Sequence, residues 1–582
     1  MNENKPALGY QNFEEVRTEH IFYIDKTDFI REWWENADKV TLITRPRRFG
    51  KTLNMSTVEC FFSNQYAGRS DLFEGLSIWN EKLSDEKLPD GNYKYRELQG
   101  IYPVIFLSFA NIKATKYEDM IYKITEVIGN VYNKHNYLLE GNFLSQNEQE
   151  YYKSIRFGMK AETAVGAIHS MADFMQRYYG RKVIILLDEY DTPMQEAWLS
   201  GYWNEAVSFF SSFFNAALKT NPHLERGLLT GITRIARESI FTGMNNLNVI
   251  TTTSNEYAAA FGFTEKEVFA ALDDAGLGAE KQEVKRWYDG FTFGAYTDIY
   301  NPWSIVSFIN KRGKYDTYWS NTSGNDLVNS LIQKGTPGIK QTMEDLLQGK
   351  SFKAEIDEKI VFDQIDDDIN AIWSLLLATG YLKVLKTESE DCDDETEATY
   401  NVWYTLALTN LEVKKMFRKM IKNWFKGSTE TYYNEFINAL LNDNVRKMNT
   451  FMNKVALNTF SSFDSGNKPS EQAEPERFYH GFVLGMVVNL AGTYKVRSNR
   501  ESGYGRYDVM IEPLDKTKKA FIFEFKVLDP DEDEESLEDT LTNAHRQIED
   551  KQYEAELIAD GFAKTQIRKY GFAFKGKECL IG

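Results

Sequence analysis

Cysteine is nearly absent: Cys60, Cys392 and Cys579 are the only three in 582 residues. Three thiols so far apart build neither a disulfide framework nor a zinc site. The chain therefore reads as intracellular, in a reducing compartment. Proline is scarce at 12, which excludes a collagen-like or linker-dominated chain. No apolar run approaches the ~18 residues of a membrane-spanning helix. The start, MNENKPALGYQNFEEV, lacks a signal-peptide layout. A cytoplasmic location without a membrane partner is expected. Six scattered histidines offer no transition-metal cluster. Positive charge is in deficit, with a net charge of −18. Bulk electrostatics thus does not favour a polyanion, and any nucleic-acid contact must come from a local site.

Apolar material is plentiful, at 42% hydrophobic and 14% aromatic residues, which excludes a disordered chain. The length suits roughly three or four domains. Lys39–Thr44 reads as a buried strand, followed by the turn Arg45–Thr52 and a helix to about Phe62. Pro103–Phe109 and Arg226–Ile232 read as further strands, with helices over about 159–179 and 205–218 between them. Val183–Leu187 is wholly apolar, as in a parallel strand covered on both faces. The alternation predicts an α/β domain with a parallel sheet over 1–295. A mainly helical middle region follows over 296–460, including Ala371–Thr379 and Leu411–Phe425. Its run Glu388–Glu397 holds seven acids and reads as a solvated hairpin tip or loop. Residues 461–473 are rich in Ser, Gly, Asn and Pro and form the expected linker. A third region, 474–582, reads helix, strand, strand, helix, strand. Within it, the acidic stretch Asp531–Thr540 is expected as an exposed loop.

Arg45-Pro46-Arg47-Arg48-Phe49-Gly50-Lys51-Thr52 matches the phosphate-loop pattern G-x-x-x-x-G-K-[ST] in every fixed position but the first. Gly50 lets the backbone approach phosphates, and the helix start supplies amide donors. Arg48, Phe49, Gly50, Lys51 and Thr52 thus form a candidate ATP-binding turn. Lys51 would reach the β- and γ-phosphates and Thr52 would hold Mg²⁺. Asp188 and Glu189 end the apolar strand as a Walker B pair. Asp188 would orient the Mg²⁺ shell, and Glu189 would polarise the attacking water. Thr230 ends the next strand, where it can sense the γ-phosphate, and Arg234 or Arg237 can act on it. The plainer alternative is a helix-capping threonine beside solvated arginines.

The second candidate site is C-terminal. Alternation along Ala520–Val527 puts Ile522, Glu524 and Lys526 on one face and Phe521, Phe523 and Phe525 on the other. With Asp508 on a neighbouring strand, Glu524 forms a carboxylate pair for Mg²⁺ or Mn²⁺, and Lys526 stands beside an attacking water. An edge-strand ion pair is the structural alternative. Glu476, on a preceding helix, is the candidate third acid. Gln547 and Tyr553 lie on or near a following helix. Lys495, Arg497, Arg500 and Arg506 form the one candidate track for a phosphate backbone.

Several further pieces accompany these: Phe22-Tyr23-Ile24-Asp25-Lys26-Thr27, Phe261-Gly262-Phe263-Thr264, Trp287-Tyr288-Asp289-Gly290-Phe291, Tyr300-Asn301-Pro302-Trp303-Ser304 and Thr379-Gly380-Tyr381-Leu382. With the phosphate loop, Leu187–Pro193, and Asp508 with Glu524-Phe525-Lys526, they span nearly the whole chain. The set resembles the bacterial AAA-ATPase-like proteins that end in a PD-(D/E)XK nuclease-superfamily domain. That resemblance implies a P-loop ATPase domain, a restriction-endonuclease-like α/β domain, ATP and Mg²⁺ as cofactors, and nucleic acid, DNA above all, as the partner. It also makes RPRRFGKT the family's own version of the phosphate loop. Many ATPases of this type complete the site with a neighbour's arginine, so a homo-oligomer is compatible with it. Two other functions stay open: a nucleotide-switched interaction module with an inactive nuclease fold, and an ATPase serving a protein partner.

Overall fold

Strands that are apolar on both faces must be covered on both sides, and this requirement organises the N-terminal half. The structure is a computed structural model that describes residues 5–80, 94–140, 143–234, 240–241, 243–319, 326–357, 369–390, 401–424, 428–463, 473–502, 505–530, 534–575 and 578–582. It divides into two compact units. The first is Met1–Trp319 with Ala354–Glu412, and the second is Ser320–Lys353 with Val413–Gly582.

The first unit is built on five strands: β1 (Val40–Thr44), β2 (Val104–Ser108), β3 (Val183–Asp188), β4 (Leu224–Gly231) and β5 (Leu247–Ile250). They are all parallel, in the order β2-β3-β4-β1-β5. Every residue of β1 and β3 is buried. Helices α1 (Lys51–Phe62), α2 (Tyr117–Lys134), α3 (Ala161–Tyr179) and α4 (Trp203–Phe214) complete the layer structure. The polar ends of four strands, at Thr44, Ser108, Asp188 and Thr230, share the carboxyl edge of the sheet. That edge is where ligands bind in open parallel sheets.

Two small sheets follow in the same unit. β6 (Phe263–Thr264), β7 (Phe291–Phe293) and β8 (Tyr296–Tyr300) pair in the order β6-β8-β7, ahead of α5 (Pro302–Asn310). β9 (Phe352–Glu355, at the boundary where the chain re-enters this unit at Ala354), β10 (Leu382–Glu390) and β11 (Asn401–Leu408) form the other, in the order β10-β11-β9. A middle region that reads as mainly helical thus also contains strands. The acidic run begins inside β10, whose Glu390 pairs with Asn401 of β11, and its residues from Asp391 on lie outside the described ones. The linker stretch likewise lies mostly outside them: one helix ends at Phe463 and the next begins at Ala473.

The second unit gathers α6 (Pro337–Gln348), α7 (Leu411–Trp424, mostly within it), α8 (Ser428–Leu441), α9 (Val445–Phe463) and α10 (Ala473–Asn489) with a five-stranded sheet. Its strands are β12 (Tyr494–Ser502), β13 (Gly505–Pro513), β14 (Ala520–Val527), β15 (Ile567–Lys575) and β16 (Glu578–Ile581), paired in that order. Only β14 and β15 run parallel. Helix α11 (Leu537–Asp550) lies against β14 and β15. Both faces of β14 are buried from Ala520 to Glu524. Ile522 packs with Met510, Ile548 and Tyr553, while Phe523 packs tilted against Phe572, at 4.9 Å between ring centroids.

Two expectations change here. The basic stretch is the hairpin strand β12, and its Arg497 is held in ion pairs with Glu512 and Glu556. Arg497 therefore belongs to the unit's own charge network and not to a phosphate track. The side chains of Arg500 and Arg506 lie outside the described residues. The acidic stretch 531–540 is not all exposed loop. Ser536 caps α11, and Glu534 is 4% exposed. Glu534 accepts hydrogen bonds from Thr540 Oγ1 at 2.6 Å, Asn543 Nδ2 at 2.6 Å and the Asp529 amide at 3.0 Å. A buried carboxylate with three donors is a tie between the end of β14 and the helix.

Candidate functional sites

The loop between β1 and α1 turns through two left-handed residues, Arg48 at φ +64° and Gly50 at φ +80°. Its carbonyls are occupied one after another. Lys51 Nζ donates to the carbonyls of Arg45 at 3.0 Å and Pro46 at 2.9 Å, and Asn301 Nδ2 donates to that of Arg47 at 3.3 Å. Among the described residues, the amides of Arg48, Phe49 and Gly50 donate to no protein acceptor. A loop with its carbonyls engaged and its amides open at a helix start is a concavity suited to an anion.

Arg45 stands where the general pattern has glycine, and its side chain is fully buried. Its guanidinium donates to the carbonyls of Thr251 at 2.6 Å, Thr44 at 2.9 Å and Glu256 at 3.2 Å, over the ring of Phe293. Arg45 therefore anchors the loop from behind. Phe49 is 1% exposed and packs on Phe291 at 4.8 Å and Phe293 at 5.5 Å, so only its backbone faces the cradle. Gly262 closes on Phe49 from the other side, where a Cβ would come within 3.0 Å of its ring. Arg48 lies over Trp303 at 4.4 Å. Gly380 has room for no side chain against Pro46, at 2.9 Å. The pieces around Phe261, Phe291, Asn301 and Gly380 thus form a collar around this one loop. Sequence spacing could not reveal that convergence.

Asp188 is fully buried at the end of β3. It accepts from Thr230 Oγ1 at 2.6 Å, Thr52 Oγ1 at 2.9 Å and Ser108 Oγ at 3.4 Å. Strand β4 lies between β1 and β3, which is why Thr230 reaches the pair. Ser108 carries no signal in the sequence; its register opposite Asp188 is visible only in the sheet. Burial pushes the Asp188 carboxyl above its usual range, against the hydroxyls and Lys51. Burial also pulls the Lys51 ammonium below its usual range, while Glu189, Asp191 and Asp188 hold it up. Glu189 sits at φ +52°, in the left-handed region, a conformation that costs about 1–3 kcal/mol in a non-glycine residue and clusters at functional sites. Asp191 is 1% exposed and accepts from the amides of Ile232 at 3.0 Å and Thr233 at 2.9 Å. It fixes the turn that leads to Arg234, which is partly buried. Arg237 lies outside the described residues.

In the second unit, Val509 pairs with Phe523, so the next position outward on each antiparallel strand is Asp508 and Glu524. Asp508 Oδ2 accepts from the Phe525 amide at 2.7 Å. Glu524 is 3% exposed, accepts from Gln547 Nε2, and leaves Oε2 buried without a hydrogen-bond partner of good geometry. Gln547 also donates to the Tyr553 hydroxyl at 3.1 Å. Burial, then the Asp508 charge, push the Glu524 carboxyl up to about 9, with Lys526 opposing. Gly571 and Ala573 on β15 face Glu524 and Lys526 in register, and α11 rests on them closely. Glu476 lies on α10, but its side chain is outside the described residues.

Both sites can be tested for fit to a divalent cation. The first offers the Thr52 and Ser108 hydroxyls and the Asp188 carboxylate, all hard oxygens of the kind Mg²⁺ takes. The second offers an orphaned, buried carboxylate oxygen beside a second carboxylate. Both donor sets fit.

Residues 7–241 match the AAA-ATPase-like family, described as predicted AAA-ATPase. Residues 474–582 match the PD-(D/E)XK nuclease superfamily. The chain therefore carries an AAA-ATPase-like domain followed by a PD-(D/E)XK nuclease-superfamily domain. It is also 26% identical over 353 residues to an uncharacterized protein in the vnfD 5' region of Azotobacter chroococcum mcd 1. That match spans 59% of this chain and 59% of the relative's length.

Proposed function

We propose that the chain binds and hydrolyses ATP in its first unit and cleaves nucleic acid, with DNA as the substrate, at a metal-dependent site in its second. The ATPase-like part is taken as 1–295 and the nuclease-like part as 474–582. The middle stretch 296–460 contributes elements to both units, and 461–473 is the linker ahead of the nuclease-like part.

In this reading the open amides of Arg48, Phe49 and Gly50 receive the phosphates. Lys51 leaves the carbonyls of Arg45 and Pro46 to meet the β- and γ-phosphates. Thr52 and Asp188 hold Mg²⁺, and Glu189 accepts the proton of the attacking water. Thr230 keeps Asp188 oriented and would sense the γ-phosphate, with Arg234 following it. In the second unit Asp508 and Glu524 hold Mg²⁺ or Mn²⁺, with Glu476 as the third acid. Lys526 stands beside the attacking water and offsets charge developing on the phosphate. Bound metal there supplies Lewis-acid activation of water and phosphate.

The observation that carries the proposal is Glu524: a buried carboxylate with one oxygen unpartnered, opposite Asp508 and two residues from Lys526 on the same strand. An ionised carboxylate in that state is costly unless a cation pairs with it, and without one it holds a proton. A cytoplasmic setting belongs to the proposal, and among the described residues no helix is long and apolar enough to cross a membrane. The test is cleavage of duplex DNA, single-stranded DNA and RNA with Mg²⁺, with and without ATP. Metal-dependent cleavage supports the reading. Metal binding without cleavage of any substrate would leave the nucleotide-switched interaction module in its place.

A further inference from the structure

The Arg47 carbonyl, in the middle of the phosphate loop, has a second donor besides Asn301. Trp319 Nε1 donates to it at 3.0 Å. Trp319 is 5% exposed, and its ring lies edge-on to Phe291 at 5.5 Å and tilted against Tyr381 at 5.3 Å. Its amide donates to Glu412 Oε1 at 2.6 Å, and the other oxygen of Glu412 accepts from Ser304 Oγ at 2.8 Å. Glu412 is 1% exposed. Ser304 in turn opens α5, where its amide is capped by Asn301 Oδ1 at 3.2 Å. The circuit thus closes: Arg47 carbonyl, Trp319, Glu412, Ser304, Asn301 and the Arg47 carbonyl again.

Trp319 and Glu412 also hold a special place along the chain. Trp319 is the last residue of the first unit before the chain passes into the second at Ser320. Glu412 is the last before it passes again at Val413. The two exits, 93 positions apart in sequence, are tied to each other by one buried hydrogen bond and to the phosphate loop by another.

We infer that Trp319 and Glu412 are positioning residues: they hold the phosphate loop in its anion-ready turn and pass its nucleotide state to the two points where the chain enters the nuclease-bearing unit. The physical ground is that Lys51 holds the carbonyls of Arg45 and Pro46, and its departure for a phosphate releases the loop immediately ahead of the Arg47 carbonyl. Trp319 is bonded to that carbonyl and cannot remain indifferent to the shift. A buried carboxylate that pairs with a backbone amide and a hydroxyl costs more to disturb than an exposed one, so Glu412 moves with its partners. The inference rests on the ATP reading of the loop and adds its coupling to the second unit.

The test uses the full chain. Trp319→Phe keeps an aromatic ring and removes the indole N–H, and Glu412→Gln keeps the shape and removes the charge. Each is measured for melting temperature, Mg-ATP affinity, kcat and KM. Amide hydrogen exchange of residues 326–353 and 413–424 is measured with and without Mg-ATP. In the unaltered chain, Mg-ATP should change exchange in both segments. In Trp319→Phe the affinity for Mg-ATP should fall roughly three- to tenfold, the scale of one neutral hydrogen bond. The loss should appear in KM more than in kcat, and the nucleotide-dependent exchange should disappear. Glu412→Gln should lose the exchange response with a smaller change in affinity. Both variants folding, binding Mg-ATP as the unaltered chain does and keeping its exchange response would overturn the inference. If the unaltered chain binds no Mg-ATP, the ATP reading itself fails and this inference falls with it. If it binds Mg-ATP with no response in either segment, only the coupling fails.

Discussion

Thr230 donates its hydroxyl to Asp188 Oδ1 at 2.6 Å, across the two adjacent strands that carry them. Burial already pushes the Asp188 carboxyl upward, and this hydroxyl is the strongest counterweight. Thr230→Val keeps the shape and removes the donor. The Asp188 oxygen is then buried without that partner, a cost of about 1–3 kcal/mol. ATP turnover should fall roughly tenfold, with a higher Mg²⁺ concentration at half-maximal rate. An unchanged Mg²⁺ requirement would separate Thr230 from the metal.

Glu189→Gln should keep ATP bound and slow turnover by at least about a hundredfold, the lower range for losing a general base. Lys51→Ala should instead weaken ATP binding itself. Its ammonium is buried on the carbonyls of Arg45 and Pro46, so its removal leaves two acceptors without their donor, and melting temperature without nucleotide should also fall, on the scale of about 1–3 kcal/mol. Binding titrations of the two variants separate the roles, and a near-normal rate in Glu189→Gln would move the base to another acid.

Arg45→Met tests the anchor behind the phosphate loop. The substitution leaves three carbonyls without their charged donor inside the first unit. The expected destabilisation is about 3 kcal/mol, the upper scale for hydrogen bonds to a charged group. Denaturant unfolding measures it. A loss below about 0.5 kcal/mol, the scale of an ordinary surface substitution, would mean that the loop does not depend on Arg45.

How far the sequence speaks depends on whether a feature is local. Strand β3 with Asp188 and Glu189 is legible because an apolar run ending in two acids declares itself. Glu524 and Lys526 are legible because strand alternation puts them together. The collar around Phe49 is not, since Phe291, Asn301, Trp319 and Gly380 meet only through tertiary packing. Strand β12 is also hidden: Lys495, Arg497 and Arg500 read as a track for a phosphate backbone, although Val496 and Ser498 between them are buried. Glu534 is masked by the acids around it, because composition cannot tell which one finds Thr540 and Asn543.

The Glu524 carboxyl predicts a pH dependence of the metal-free protein. Its folded value is raised from 4.5 to about 9. Between those values the folded state keeps a proton that the unfolded chain releases. Stability is therefore full below the unfolded value and is lost as pH rises through the folded one. With chelator present, the second unit should melt progressively lower from pH 6 to pH 9. Glu524→Gln should flatten that slope, and Mg²⁺ should offset it, binding more tightly as pH rises. Equal slopes in the two proteins would count against a protonated Glu524.

The central claim is tested most directly by measuring Mg²⁺-dependent DNA cleavage and the Mg²⁺-dependent rise in melting temperature on the same samples of the full chain, Asp508→Ala and Lys526→Ala. A cation bound to the folded state raises stability by mass action. The account predicts both signals in the unaltered chain, and in Asp508→Ala no cleavage and no Mg²⁺-dependent rise in the melting of the second unit. It predicts no cleavage but a preserved melting shift in Lys526→Ala, because an ammonium is no metal ligand. Cleavage that survives in Asp508→Ala, or a full melting shift there, would contradict it.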